Sequence, residues 1–276
     1  MTAPESDDSE DGIYLYGLVD AGALPEGPFC SDGGAPVHAL RLGDLAALIR
    51  EVPLAEFCGP EAEERLRDLA WVGPKACGHE AVIGRAMGVA PAFPVGFATL
   101  FRSRAGLAAY LERNHAAIRD FLDRTAGKHE YALKGFAVTD DASVFEALAM
   151  ELHPDLAGVP PGTRYLLRRR MQPALEAALC ARAAERAAEL PHSLAPLIHA
   201  CRALATRPGL EPPGRVAVAS LALLVEPMAA PAVREQVERL AADGAAHGLA
   251  LTLSGPWPPF SFVPRLAAPE GLEPMR

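Results

Sequence analysis

Apolar positions run almost unbroken through "GIYLYGLVD" (12–20), rich in β-branched, aromatic and aliphatic residues and ending in turn chemistry, so it reads as a first strand. Residues 21–36 hold four glycines and three prolines and read as a loop. "VHALRL" (37–42) and "LAALIREVP" (45–53) follow as two strands, or a strand and a short helix, pivoting on Gly43-Asp44, and that tight turn favours a hairpin. From Pro60 the period lengthens towards that of a helix. Leu66, Leu69 and Ala70 share one side, Gly73-Pro74 interrupts, and His79, Ile83, Ala86 and Met87 resume at spacings of three and four. "APAFPVGFATLF" (90–101) reads as one further strand. Ser103 then stands as the N-cap of a helix striped by Leu107, Leu111, Ile118, Phe121 and Leu122 and closed by Gly127.

The second half repeats the alternation. "HEYALKGFAV" (129–138) is a strand, and a helical zone runs from Tyr165 to about Ala205, bent or split by Pro173, Pro191 and Pro196. "GRVAVASLALLVEP" (214–227) is the clearest strand of the chain. Pro231 opens a last helix that carries Val233, Val237 and Leu240 inward and stops at Gly248. "LALTLSG" (249–255) is the final strand. Strands and long helices in this order predict an α+β protein of two α+β domains, each with helices over one face of a small sheet. The expected boundaries are an acidic tail at 1–12, a first domain at 13–128, a second at 129–264 and a flexible tail at 265–276.

Charge and length narrow the function classes. The net charge is −9, five of the acids lie in the first eleven residues, and the remainder is close to balance at −4. That excludes the electrostatic footprint of a general nucleic-acid binder. The longest apolar run, "VAVASLALLV", has ten residues, too short to cross a bilayer. With an acidic N-terminus that lacks the features of a secretory signal, a cytoplasmic location is expected. The five cysteines have no C-x-x-C spacing and read as reduced thiols rather than zinc ligands.

The sequence carries no recognised catalytic motif. Cys77 and His79 of "CGHE" point to different sides of a helix, and His79 reads as a packed histidine. The chain contains neither a phosphate-binding glycine motif nor a G-x-S-x-G elbow. Arg168-Arg169-Arg170 reads as a solvated helix face. One stretch stands out. "SGPWPPFSFV" (254–263) places Trp257, Phe260 and Phe262 among three prolines in a chain that is only 6% aromatic. Prolines lower the entropy lost on ordering those rings, so the three are the partner-binding candidates, with Trp257 expected in the core and Phe260 partly exposed against the sheet of the second domain.

"GPWPPFSF" resembles the C-terminal signature of the GvpL/GvpF family of gas vesicle proteins. "YLYGLV" (14–19), "LGDLAALIREVP" (42–53), Trp71, His79-Glu80, "FPVGFATLF" (93–101), "EYALKG" (130–135) and "RYLLRRR" (164–170) resemble other family segments. The sequence departs from the family pattern at Phe260, where tyrosine is usual, at Gly96, where arginine is common, and at Ala98, where glycine is usual. The resemblance implies a non-enzymatic accessory or minor structural protein of gas vesicles, with a ferredoxin-like C-terminal domain and no cofactor, metal or catalytic residue. The partners it implies are the main hydrophobic shell protein and other accessory proteins, with no nucleic acid and no membrane. The competing reading is an α+β enzyme whose site has no recognised motif, built around His79, His115 or Glu80.

Overall fold

A computed structural model describes residues 11–24, 26–206, 209 and 211–267. By its contacts the chain forms two units: the described residues through Gly127 together with those from Trp257 onward, and Lys128–Pro256. Most of the acidic tail and residues 268–276 lie outside the described residues, although Asp11 and Gly12 already belong to the first strand. The protein is an α+β fold.

The first unit is built on a six-stranded sheet in the order β2-β3-β4-β1-β5, with β6 also pairing β1. These strands are β1 Asp11–Asp20, β2 Gly27–Ser31, β3 Pro36–Leu42, β4 Leu45–Pro53, β5 Ala92–Pro94 and β6 Leu100–Phe101. The hairpin read around Gly43-Asp44 is present, with Leu42 opposite Leu45. Two expectations change here. The 21–36 loop contributes β2, an edge strand without alternation to announce it. The stretch 90–101 breaks into β5 and β6, because Ala98 takes a positive φ of 61° that no strand accommodates.

Strand β1 is buried along nearly its whole length. A bulge after Leu15 shifts its pairing with β4 by one residue, so Tyr14, Tyr16 and Val19 join one core cluster despite their mixed parity. Helix α2 (Leu69–Met87) supplies Val82, Ile83 and Ala86 to that cluster. On the other face, Phe93 meets Phe121 of helix α3 (Arg104–Thr125) with ring centroids 4.8 Å apart, and Phe101 meets Tyr110 at 5.2 Å. The buried rings Phe93, Phe101 and Phe121 each contribute about 1.5–3 kcal/mol. Helices therefore cover both faces of this sheet, where the sequence reading expected one. The reason lies in the neighbours within each strand: Ala92 and Leu100 face α2, whereas Phe93 and Phe101 face α3, so both faces are apolar.

Helix α2 runs through Gly73-Pro74 rather than stopping there, after the short helix α1 (Pro60–Arg65). Pro74 lies so near the start that its missing donor deprives only the exposed Ala70 carbonyl. Asp68 caps α2 through Ala70 N at 2.9 Å, and Ser103 caps α3 through Gly106 N at 3.1 Å as its position predicted. Each cap is worth about 1 kcal/mol.

The second unit carries a four-stranded sheet in the order β10-β7-β9-β8, with β7 His129–Val138, β8 Ala200–Ala203, β9 Arg215–Val225 and β10 Leu249–Trp257. Its helices are α4 (Ala142–Leu152), α5 (Pro161–Ala188), α6 (Leu190–Leu194) and α7 (Ala230–Ala245). Leu133, Leu221, Leu223 and Val225 of the sheet pack with Ala183, Ala187, Val233 and Val237 of α5 and α7. The helical zone expected to reach Ala205 ends earlier, at Pro191 and Pro196, and Ala200–Ala203 pairs as a strand with the free edge of β9. Pro173 sits inside α5 at an exposed position without ending it. Strand β10 continues through Pro256, whose peptide bond with Gly255 is cis.

Candidate functional site

Two features of the first unit carry unusual chemistry, and the first is an aromatic and polar hub beneath α2. Trp71, Lys75 and His79 recur every four residues, so one face of α2 presents all three to the sheet. Across from them stand Tyr14 and Tyr16 of β1, with Arg50 of β4 directly opposite Tyr14. Tyr14, Tyr16 and Phe97 pack around His79, and Phe57 and Trp71 extend the cluster, with neighbouring ring centroids 4.7–6.4 Å apart.

Hydrogen bonds fix the proton positions in the hub. The Val95 carbonyl can only accept, so His79 Nε2, 2.9 Å away, carries the proton. Nδ1 of the neutral ring then accepts from the Tyr14 hydroxyl at 2.9 Å, and that hydroxyl accepts from Ala98 N at 3.0 Å. The chain of donors holds Ala98 in its positive-φ conformation. Burial lowers the His79 pKa below its ordinary value, which keeps the ring neutral at pH 7.

A second network converges on Asp32, in the "SDGGAP" segment read as a plain loop. Its carboxylate accepts from Tyr16 Oη at 2.7 Å, from Arg50, and from Gly34 N and Ala35 N. Burial alone would raise the Asp32 pKa; the Tyr16 hydrogen bond and the Arg50 charge outweigh it and hold the group below the usual carboxylate range. Desolvation pushes both tyrosine phenols well above their ordinary range, and for Tyr16 the bond to Asp32 adds to the effect. The loop reaches this position because residue 78 has no side chain: a Cβ there would lie 2.3 Å from the Asp32 carbonyl oxygen. Lys75 pairs with Glu56 and lies 4.7 Å from the Trp71 ring centroid. Between Tyr14, Tyr16, Arg50, Phe57, Lys75 and Phe97 a recess of about 250 Å³ remains open.

The second feature is the proline–aromatic segment, which differs from its sequence expectation in two ways. Trp257 is 40% exposed and Phe260 37%, whereas Phe262 is 9% exposed and buried along with Pro258 and Pro259. Trp257 is therefore not a core residue; the prolines and Phe262 are the anchor, and the two larger exposures belong to the rings flanking them. From Trp257 onward the segment groups with the first unit, although Trp257 itself is the last residue of β10. A cause is the buried Asn114 of α3, which accepts from Ala267 N at 2.9 Å and donates to the Ala267 carbonyl at 3.3 Å.

The residues proposed for an enzyme are not brought together. Both His79 nitrogens are engaged within the hub, and His115, on α3, meets Asp44 at 2.6 Å. Among the described residues no group of three His, Cys, Asp or Glu side chains is arranged to hold a metal ion, and no helix is long and apolar enough to cross a membrane.

Comparison with known proteins decides the family. The family model described as gas vesicle synthesis protein GvpL/GvpF matches residues 12–264. The chain belongs to the GvpL/GvpF family. It is 31% identical over 263 residues to gas vesicle protein L of Streptomyces sp. (strain CB03234), covering 91% of this chain and 92% of that one. The fold is similar to the crystal structure of GvpF from Anabaena sp. PCC7120, with a TM-score of 0.67 at 18% identity over 93% of this chain and 100% of the other. It is also similar to GvpF from Microcystis aeruginosa, with a TM-score of 0.61 at 15% identity over 92% and 99%.

Membership of the GvpL/GvpF family ties this chain to gas vesicles, and the structure gives several of the resembling residues noted above definite positions. Trp71 and His79 are hub residues, and Ala98 is the positive-φ residue held by Tyr14, a position suited to the glycine usual there. Asp32, Arg50 and Lys75 escaped the sequence reading. Lys75, four residues from both Trp71 and His79, was the one signal available for them.

Proposed function

We propose that this GvpL/GvpF protein is a cytoplasmic, non-enzymatic accessory or minor structural component that binds the main hydrophobic gas vesicle shell protein and supports assembly of the shell. The observation carrying this reading is the ring pair Trp257 and Phe260, exposed on a segment whose intervening prolines are buried. A shell subunit that excludes water presents an apolar face, which risks aggregation until it is covered. Rings already fixed by buried prolines bury large area against such a face at small entropic cost. Phe262 serves the same site from beneath, as the buried anchor.

The hub supports the non-enzymatic part of the proposal, since its histidine is neutral, enclosed and hydrogen-bonded at both nitrogens. The proposed domain division is an N-terminal α+β domain and a C-terminal ferredoxin-like one. Support for the latter comes from the order strand, helices, strand, strand, helix, strand and from the sheet order β10-β7-β9-β8. Co-expression of the tagged protein with the main shell protein tests the function. The shell protein should co-purify from the soluble fraction; a folded, tagged protein that brings down none would refute the proposal.

A further inference from the structure

Of the three adjacent arginines of α5, Arg169 and Arg170 are exposed, as a solvated face requires, whereas Arg168 is half-buried. Arg168 and Arg169 both border a recess of about 270 Å³ in the second unit, beside Tyr165 on the same helix and Thr139 and Asp140 before α4. Phe145 and Leu175, both buried, give the recess apolar walls. Arg168 is paired with Glu146, whereas Arg169 is exposed and has no acidic partner among the described residues. From Pro161 to Leu175 the helix carries four arginines and no acid, and Tyr165 and Leu166 are largely exposed along it.

This combination needs a ligand of matching chemistry. An unpaired guanidinium beside a polar-rimmed hollow with Ala142, Phe145 and Leu175 in its wall suits a carboxylate next to an apolar side chain, because the fork of N–H donors fits a carboxylate and the hollow takes the neighbouring group. A nucleic acid fits poorly. Its charge repeats at every residue, whereas a single unpaired guanidinium, Arg169, borders the recess. We propose that this recess is a docking site for an acidic peptide segment of a partner protein, with an apolar side chain against Phe145 and Leu175 and a carboxylate on Arg169. The site lies in the second unit and is independent of the ring pair at Trp257 and Phe260.

The test uses the full chain and a fluorescein-labelled synthetic peptide of alternating glutamate and phenylalanine, read by fluorescence anisotropy. Binding is expected to weaken as salt rises. Arg169→Glu should weaken it by about tenfold or more, the scale of one charge-assisted contact. Arg169→Gln should weaken it less, and Arg239→Glu, on α7, should leave it unchanged. Melting curves matching the unmodified protein show that each variant is folded. Absence of peptide binding, wild-type affinity in folded Arg169→Glu, or equal affinity for a serine–phenylalanine peptide would overturn the proposal. Tighter binding of a labelled single-stranded DNA of equal length would overturn it in favour of nucleic acid.

Discussion

Tyr14→Phe removes one oxygen atom from the centre of the first unit and leaves the ring in place. The lost hydroxyl accepts from Ala98 N and donates to His79 Nδ1, so the change strands one donor and one acceptor together. A buried polar group without a partner costs about 1–3 kcal/mol, and because ring volume is unchanged no cavity term adds to it. The expected loss is about 2–4 kcal/mol, with the part-buried Ala98 amide at the lower end of its range. Trp71, in the hub, reports on the first unit by fluorescence during urea denaturation in a Trp257→Phe background, because Trp257 ends β10 of the second sheet. Tyr110→Phe is the control. That ring packs on Phe101, and its hydroxyl has no hydrogen bond among the described residues, so its removal should change stability by no more than about 0.5 kcal/mol. In Tyr14→Phe combined with His79→Phe the stranded acceptor is gone, and the double variant should be at least about 1 kcal/mol more stable than additivity gives. Additive costs, or a Tyr14→Phe loss no larger than that of Tyr110→Phe, would refute the hydrogen-bond chain.

The same network sets a pH dependence: burial lowers the folded His79 pKa below 6.5, so beneath pH 6.5 the unfolded chain binds the proton more readily and stability falls towards the folded pKa. His79→Phe should flatten that part of the profile in denaturation series at successive pH values, and an unchanged slope would contradict the assignment. Gly78→Ala should destabilise the first unit by about 2 kcal/mol or more by driving a Cβ into the Asp32 carbonyl, whereas Gly84→Ala on the same helix meets nothing within 4 Å and should gain up to about 1 kcal/mol. Equal effects of the two substitutions would show that the loop does not depend on the close approach. Asn114→Ala should cost about 1–3 kcal/mol and speed hydrogen exchange at Ala267, and unaltered exchange there would mean that Asn114 does not hold the segment.

Periodicity made the regular elements readable, and tertiary neighbours decided the rest. Strands β7, β9 and β10 and helices α3 and α7 announced themselves because each must bury one continuous stripe. Strands β2 and β8 escaped because each lies at the end of its sheet order and has no alternation of its own; pairing with β3 and β9 makes them strands. Tyr14 and Tyr16 were readable as strand residues, but not as partners of His79 and Asp32. Those contacts span 65 and 16 residues and depend on a bulge and on a missing side chain at Gly78. The sequence also pointed to "GPWPPFSF" and to a partly exposed Phe260, but it placed Trp257 in the core. Composition marks aromatic rings as core, yet Pro258, Pro259 and Phe262 take the buried places and leave Trp257 exposed.

That exposure puts the central claim on one comparison: capture of the main shell protein by the wild-type chain and by the Trp257→Ala, Phe260→Ala double variant, with a thermal melt of each. Substitutions at positions this exposed should lower stability by no more than about 1 kcal/mol. Loss of two aromatic anchors should weaken capture by about 2 kcal/mol or more, some thirtyfold. A normal melt with capture weakened to that degree is the predicted result. A normal melt with undiminished capture would show that the ring pair is not where the shell protein binds.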